Sequence, residues 1–304
     1  MDLNESLQRF GFDFADLFAT NGLERLDGAF LAYLAERDPS LREALDGFRR
    51  SSSVPEPRAH SELLLAIAPY LGAFIARLFG IEQTAGAVAR ADRDEAVVFD
   101  FKSRFVRRRA RRYRKPIHTP FEELDRWLDR ALADAGLDGG QDREQAVARY
   151  AQHLLQDEAA NADAIEGLTQ WCALALREPA GQAAVAGWPS FQLARRVDHA
   201  HLVPLEAADD GAGRLQADPG RWRARDGFEL TDRHMSRRQV QDEVHYCIYC
   251  HDHDGDFCSK GFPEKKEQPE LGLKSDPLGV TLTGCPLEEK ISEMHVLKRD
   301  GDGI

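Results

Sequence analysis

Four of the chain's five cysteines, Cys247, Cys250, Cys258 and Cys285, fall between Tyr246 and Ile304, and the fifth, Cys172, stands apart from them. A deprotonated thiolate is a soft anionic donor, and four that converge suit an iron–sulfur cluster, a zinc ion or a pair of disulfides. Two residues separate Cys247 from Cys250, so one tight turn can aim both sulfurs at a common centre while backbone N–H groups point at them. Seven residues lead on to Cys258, and a longer excursion rich in Lys, Glu and Pro leads to Cys285. Gly284 permits close backbone approach beside Cys285, and Pro286 fits the first turn of a helix. Leu287, Ile291, Met294 and Leu297 would then mark that helix's buried face.

The chain's beginning bears on which occupant is expected. Met1 to Glu5 contains no basic segment followed by an apolar run, so no secretory signal is expected and the cysteines are expected to be reduced, in the cytoplasm. Disulfides are thereby disfavoured and metal binding strengthened. Zinc remains the alternative to iron and sulfide, because His245, His251 or His253 could replace a cysteine as ligand. Cys247-Ile-Tyr-Cys250-His251 also spells the c-type haem attachment pattern, but that attachment follows export and would leave two cysteines idle.

At Cys247-x-x-Cys250, Cys258 and Gly284-Cys285-Pro286-Leu287-Glu288-Glu289-Lys290-Ile291-Ser292-Glu293-Met294, the chain resembles the N-terminal iron–sulfur segment of flavin-dependent pyridine nucleotide oxidoreductases. The nearest types are the glutamate synthase small subunit and its larger bacterial relatives. The resemblance implies a small α-helical, ferredoxin-like module in which Cys247, Cys250, Cys258 and Cys285 hold one 4Fe-4S cluster and pass electrons to or from a flavin domain. No G-x-G-x-x-G occurs in this chain, since Gly211-Ala-Gly213 fails at the third glycine, so FAD and NAD(P) are expected only on a partner or a following domain. The competing class is a protein-interaction module with structural zinc and no redox chemistry.

The elements that must carry this module are expected to be helical. Leu23, Leu26, Phe30 and Leu34 recur at helical spacing, as do Leu41, Leu45 and Phe48. The apolar run from Leu63 to Phe79, interrupted by Pro69, reads as a buried helix rather than a membrane span. Thr119, Pro120 and Glu122 spell a capping box ahead of the stripe Phe121, Leu124, Leu128 and Leu132. Weaker helical patterns cover Arg143 to Ala159 and Asp163 to Arg177. Glycines and acids cluster from Glu206 to Gly227, including Asp209-Asp210 and Asp218-Pro219-Gly220, as in a linker. The expected organisation is therefore mainly α: an all-helical domain over 1–205, a linker over 206–227 and the four-cysteine module over 228–304. Ser236 and Gln239 form a second capping box, and Val240, Val244 and Cys247 share one face of the helix behind it.

A formal charge of −12 makes the chain a poor general binder of nucleic acid or anionic membrane. One stretch dissents. Lys102 to Lys115 holds nine basic residues and no acid, with Phe105 and Tyr113 available in principle for stacking on bases. The favoured reading is a basic helix over Lys102 to Lys115 whose cations pair with the protein's own acidic surface or with an acidic partner. Cys172, beside Trp171 in an apolar helical pattern, reads as a core residue, and His199 and His201 with Asp198 read as surface. No Ser/His/Asp signature and no phosphate loop is present.

Overall fold

A computed structural model of the chain describes residues 3–51, 56–137, 140, 142–194, 196–203, 205–208, 211–217, 234–265 and 267–302. The architecture is mainly α. Chain order gives α1 (Leu3–Arg9), α2 (Thr20–Arg37), α3 (Pro39–Arg50), α4 (Pro57–Phe79), α5 (Glu82–Phe101), α6 (Phe121–Asp134), α7 (Arg143–Leu154), α8 (Ala162–Ala175) and α9 (Pro179–Ala184). After a short antiparallel hairpin, β1 (Leu205–Ala207) with β2 (Leu215–Ala217), come α10 (Arg237–Tyr246), the one-turn α11 (Phe257–Lys260) and α12 (Ile291–Asp300).

The helix ends follow local chemistry. The Asp38 carboxylate accepts the Leu41 N–H at 2.9 Å with Pro39 in the first turn, and the Asp142 carboxylate accepts the Gln145 N–H at 3.0 Å. Ser236 and Gln239 make the expected reciprocal box at the start of α10. At α6 the expectation fails: the helix starts at Phe121, Pro120 precedes it with extended backbone, and no side chain caps it. The Phe121, Leu124, Leu128 and Leu132 stripe is nonetheless buried throughout, so packing rather than capping holds that helix.

The helices build two cores. Leu7, Phe12, Phe30, Leu34, Leu41, Leu45, Ile67, Phe74 and Leu78 gather α1 to α4 into one. Residues from Val98 to Val185, centred on Trp171, Leu168, Leu128 and Val147, gather the end of α5 with α6, α7 and α8 into the other. In α4, Ile67, Phe74, Ala76 and Leu78 are buried while Leu71 is exposed. By length and composition alone, α4 is long and apolar enough to cross a membrane, with a mean hydropathy of 1.6 over its best window.

The basic run is not one α-helix. It forms a π-turn over Lys102–Arg107 and a 3-10 turn over Ala110–Arg112. This winding buries Phe101, Phe105, Val106, Ala110 and Tyr113 together, which removes the two aromatic rings from any stacking role. Within the expected linker, Leu205–Ala207 pairs with Leu215–Ala217, so part of that stretch is strand; Asp209-Asp210 and residues 218–227 lie outside the described residues, as do the module's residues 228–233.

The C-terminal helices lie against the helical part. α10 and α12 pack on each other and on α5, and α12 also meets α4. Charge holds this contact. Arg238 of α10 reaches Glu95 of α5 at 2.6 Å, Asp142 at 2.5 Å and the buried Glu144 at 3.1 Å, while the other Glu144 oxygen accepts the Ser190 N–H at 2.8 Å. Asp92 of α5, itself buried, takes Arg237 at 2.9 Å and Lys298 at 2.5 Å. Lys102 adds Asp242 at 2.6 Å. Asp92 and Glu144, the buried carboxylates of this contact, thus each have a cation, as the desolvation of a buried charge demands.

Candidate metal centre

α10 delivers the first cysteine by ending. Cys247 is its C-cap, with extended backbone that turns the chain out of the helix rather than continuing the Val240–Val244 face. Tyr249 then takes the left-handed conformation (φ 51°), and the Tyr249 N–H donates to Cys247 Sγ at 3.4 Å, the arrangement expected of a sulfur-binding turn. Cys250 opens a 3-10 turn that runs to His253, and the Gly255 N–H closes back on the Cys250 carbonyl at 2.8 Å.

The second pair is assembled by backbone. The Cys285 N–H donates to the Cys258 carbonyl at 2.7 Å. Gly284 is seated so tightly that a Cβ there would lie 2.1 Å from the Ser259 carbonyl oxygen, so only glycine fits. The long excursion between these cysteines folds back on itself: the Phe262 N–H donates to Leu282 O, the Lys274 N–H to Phe262 O and the Leu282 N–H to Lys274 O. Its ends therefore return to one place, which the spacing of Cys258 and Cys285 alone does not dictate.

Electrostatics link the pairs. Burial first, and then the neighbouring Cys250 and Cys247 thiolates, push the Cys258 thiol above its ordinary value. As they stand, no three His, Cys, Asp or Glu side chains among the described residues are close enough together to hold one ion.

The helix after Cys285 differs from expectation. Pro286 lies in a turn closed by the Glu288 N–H on the Cys285 carbonyl at 3.0 Å, Glu288 is left-handed (φ 51°), and α12 starts only at Ile291. Leu287 is 77% exposed and Met294 56% exposed, so the anticipated apolar stripe is not the buried face. That face carries Ser292 and Glu293, at 3% and 4% exposure.

Nothing in the spacing of these two polar residues marks them as buried. Ser292 Oγ stands 2.5 Å from His251 Nδ1 and 3.8 Å from Cys247 Sγ. Glu293 accepts a hydrogen bond from Ser61 of α4, and its second carboxylate oxygen is buried with no hydrogen-bond partner among the described residues. His251 Nε2 lies 3.3 Å from Asp252, so both of its ring nitrogens are engaged inside the protein. His245, stacked on Phe99 with centroids 4.3 Å apart, is driven down to about 4 by burial and by the charges of Arg299 and Lys102. Elsewhere, Cys172 is fully buried, with its thiol pushed well up by desolvation. His201 pairs with Asp198 at 2.8 Å on an exposed segment.

Residues 8–80 match the model of the RP005 N-terminal alpha-helical domain. That span coincides with the first core, Leu7 to Leu78. A Rickettsia prowazekii (strain Madrid E) protein, Uncharacterized protein RP005, is 28% identical over 307 residues, an alignment that spans 95% of this chain and 97% of that protein. The likeness therefore runs through the helical part and the cysteine module together. No solved structure matches.

Proposed function

We propose that this chain is the iron–sulfur electron-transfer portion or subunit of an NAD(P)H- and flavin-dependent oxidoreductase of the glutamate synthase small-chain type. The observation that carries the reading is the glycine-enforced seating of Gly284–Cys285 on Cys258–Ser259. Close backbone approach at a cysteine, paired with an N–H aimed at a second sulfur, is what a sulfur-ligated centre requires. Cys247, Cys250, Cys258 and Cys285 would hold the group, and a 4Fe-4S cluster bound there supplies single-electron transfer. The chain's own part is to hold four thiolates, to donate the Tyr249 N–H to Cys247, and to wall one side with the buried Cys250, His251, Ser292 and Glu293. FAD and NAD(P) would sit on a partner or a following domain, and the reaction belongs to the cytoplasm.

The basic segment fits a docking role in the same reading. Lys102, Arg104, Arg109 and Lys115 are neutralised by Asp242, Asp100, Glu158 and Glu166. Arg107, Arg108, Arg111, Arg112 and Arg114 are exposed, and none forms an ion pair among the described residues. With Phe105 and Tyr113 buried, they suit carboxylates on an acidic protein partner better than stacked bases.

Anaerobic purification followed by iron and acid-labile sulfide analysis tests the proposal. A brown, dithionite-bleachable protein is expected, with colour abolished by Cys285→Ala and kept by Cys172→Ala. A colourless chain with stoichiometric zinc would transfer the site to the structural-zinc class. Retained colour in Cys285→Ala would mean that the fourth ligand lies elsewhere.

A further inference from the structure

A cleft of about 610 Å³ opens where the end of α8 meets α9 and the turn behind it, and no acid lines it among the described residues. Leu176, Val185, Trp188, Phe191 and Leu193 supply its apolar surface, and Arg111 of the basic run stands in its wall. The aromatic part is fixed by packing on the second core: the rings of Trp188 and Phe191 lie 6.1 and 5.8 Å from that of the fully buried Trp171. Close seating holds α9 in place, since a Cβ at Gly181 would lie 2.6 Å from Ala175 Cα. Arg177, just past α8, donates to the Ala110 carbonyl at 3.3 Å and to the Tyr113 carbonyl at 2.6 Å, which ties the 3-10 turn carrying Arg111 to the end of α8. Both sides of the cleft are thus rigid. Arg111 is exposed and forms no ion pair among the described residues. The neighbouring hollow differs, because Glu158 and Glu166 line it and already neutralise its Arg109 and Lys115.

We propose that this cleft is the anchor point for an acidic protein partner, taking one aliphatic or aromatic side chain of the partner against Trp188, Phe191 and Leu193 while an adjacent partner carboxylate pairs with Arg111. The physical reason is the join of two unlike surfaces. An apolar side chain entering the cleft removes water from aromatic rings that are already held in position, so little ordering is needed on this side. The planar guanidinium at the wall matches a carboxylate in two parallel hydrogen bonds, and it has no acid of its own to exchange. Arg107, Arg108, Arg112 and Arg114, equally free of ion pairs among the described residues, add a field that draws an acidic segment in and that salt screens. An apolar anchor beside an arginine is the composition of an interface hot spot.

The inference rests on the docking role given above to the basic segment, is independent of what the four cysteines hold, and its test separates cleft from charge. Fluorescence anisotropy follows the binding of a short fluorescein-labelled peptide, alternating Asp and Glu around a central Phe-Leu pair, to the full-length chain. Saturable binding that weakens with added salt is expected. A control peptide with Ala-Ala at its centre should bind about tenfold more weakly. Arg111→Glu and Leu193→Asp should each weaken binding of the Phe-Leu peptide by about tenfold or more, whereas Arg9→Glu, the same charge change on α1, should leave it nearly unaltered. Because Arg111 is exposed, its variant should keep the wild-type thermal midpoint, which guards the result against a folding defect at Leu193. Equal binding of the two peptides would overturn the cleft and leave the docking role of the arginines standing. Absence of binding by either peptide would overturn both. Wild-type affinity in Arg111→Glu would remove the arginine from the site. A single-stranded oligonucleotide that binds more tightly than the Phe-Leu peptide would overturn the acidic-protein partner, and self-association of the chain that Arg111→Glu abolishes would give the cleft to a second copy instead.

Discussion

Single atoms decide most about how the cysteines are seated. At Gly284 the added Cβ of alanine would meet the Ser259 carbonyl at 2.1 Å, a clash with backbone that no rotamer can relieve. Gly284→Ala is expected to pry Cys285 from Cys258 and to lower the thermal midpoint markedly; an unchanged melt would show that the close seating is dispensable. His245 gives a pH-dependent prediction. Its folded value of about 4 lies below the ordinary 6.5, so its contribution to stability is fully present above 6.5 and is lost as the pH falls toward 4. The total is on the order of 3 kcal/mol. Urea melts at pH 7 and pH 5 should therefore differ more for wild type than for His245→Phe, which keeps the stack on Phe99 and removes the titrating group. Equal pH dependence in the two proteins would assign the effect elsewhere.

At the scale of elements, α10 is the hinge between charge and chemistry. Its first turn carries Arg237 and Arg238 into the acids of α5 and α7, and its last turn hands the chain to Cys247. Arg238→Ala would leave Glu144 buried at 3% exposure without its cation, although Ser190 still donates to it. Removing one partner of a buried ion pair costs roughly 3–5 kcal/mol. The expected result is a marked drop in the thermal midpoint. An exposed pair such as Arg58–Glu62 is a useful contrast, since its removal should leave the thermal midpoint nearly unchanged. Equal effects from both substitutions would argue against the Arg238 cluster as the anchor of the module.

For the molecule as a whole, its mainly helical character was legible from the sequence because apolar residues at spacings of three and four specify a buried stripe wherever a helix forms. The Phe121, Leu124, Leu128 and Leu132 face and the Ser236–Gln239 cap are local patterns that need no distant partner. So too was the suspicion that Gly284 serves backbone contact, because glycine beside a cysteine has few other uses. Other features depended on residues far apart in the chain. The basic run winds as a π-turn and a 3-10 turn because Phe105, Val106, Ala110 and Tyr113 find a common core with α8. No periodicity within the run reveals that core. The buried face of α12 is polar because Ser292 meets Cys247 and His251, and Glu293 meets Ser61 some 232 residues away. Hydrogen-bond partners at such separation leave no trace in spacing, so a pattern that seeks apolar stripes places Leu287 and Met294 inside when they face solvent. Residue types and local spacing thus determined which atoms are available for chemistry. Only tertiary packing, through backbone approach at Gly284 and buried donors on α12, decided how those atoms are held.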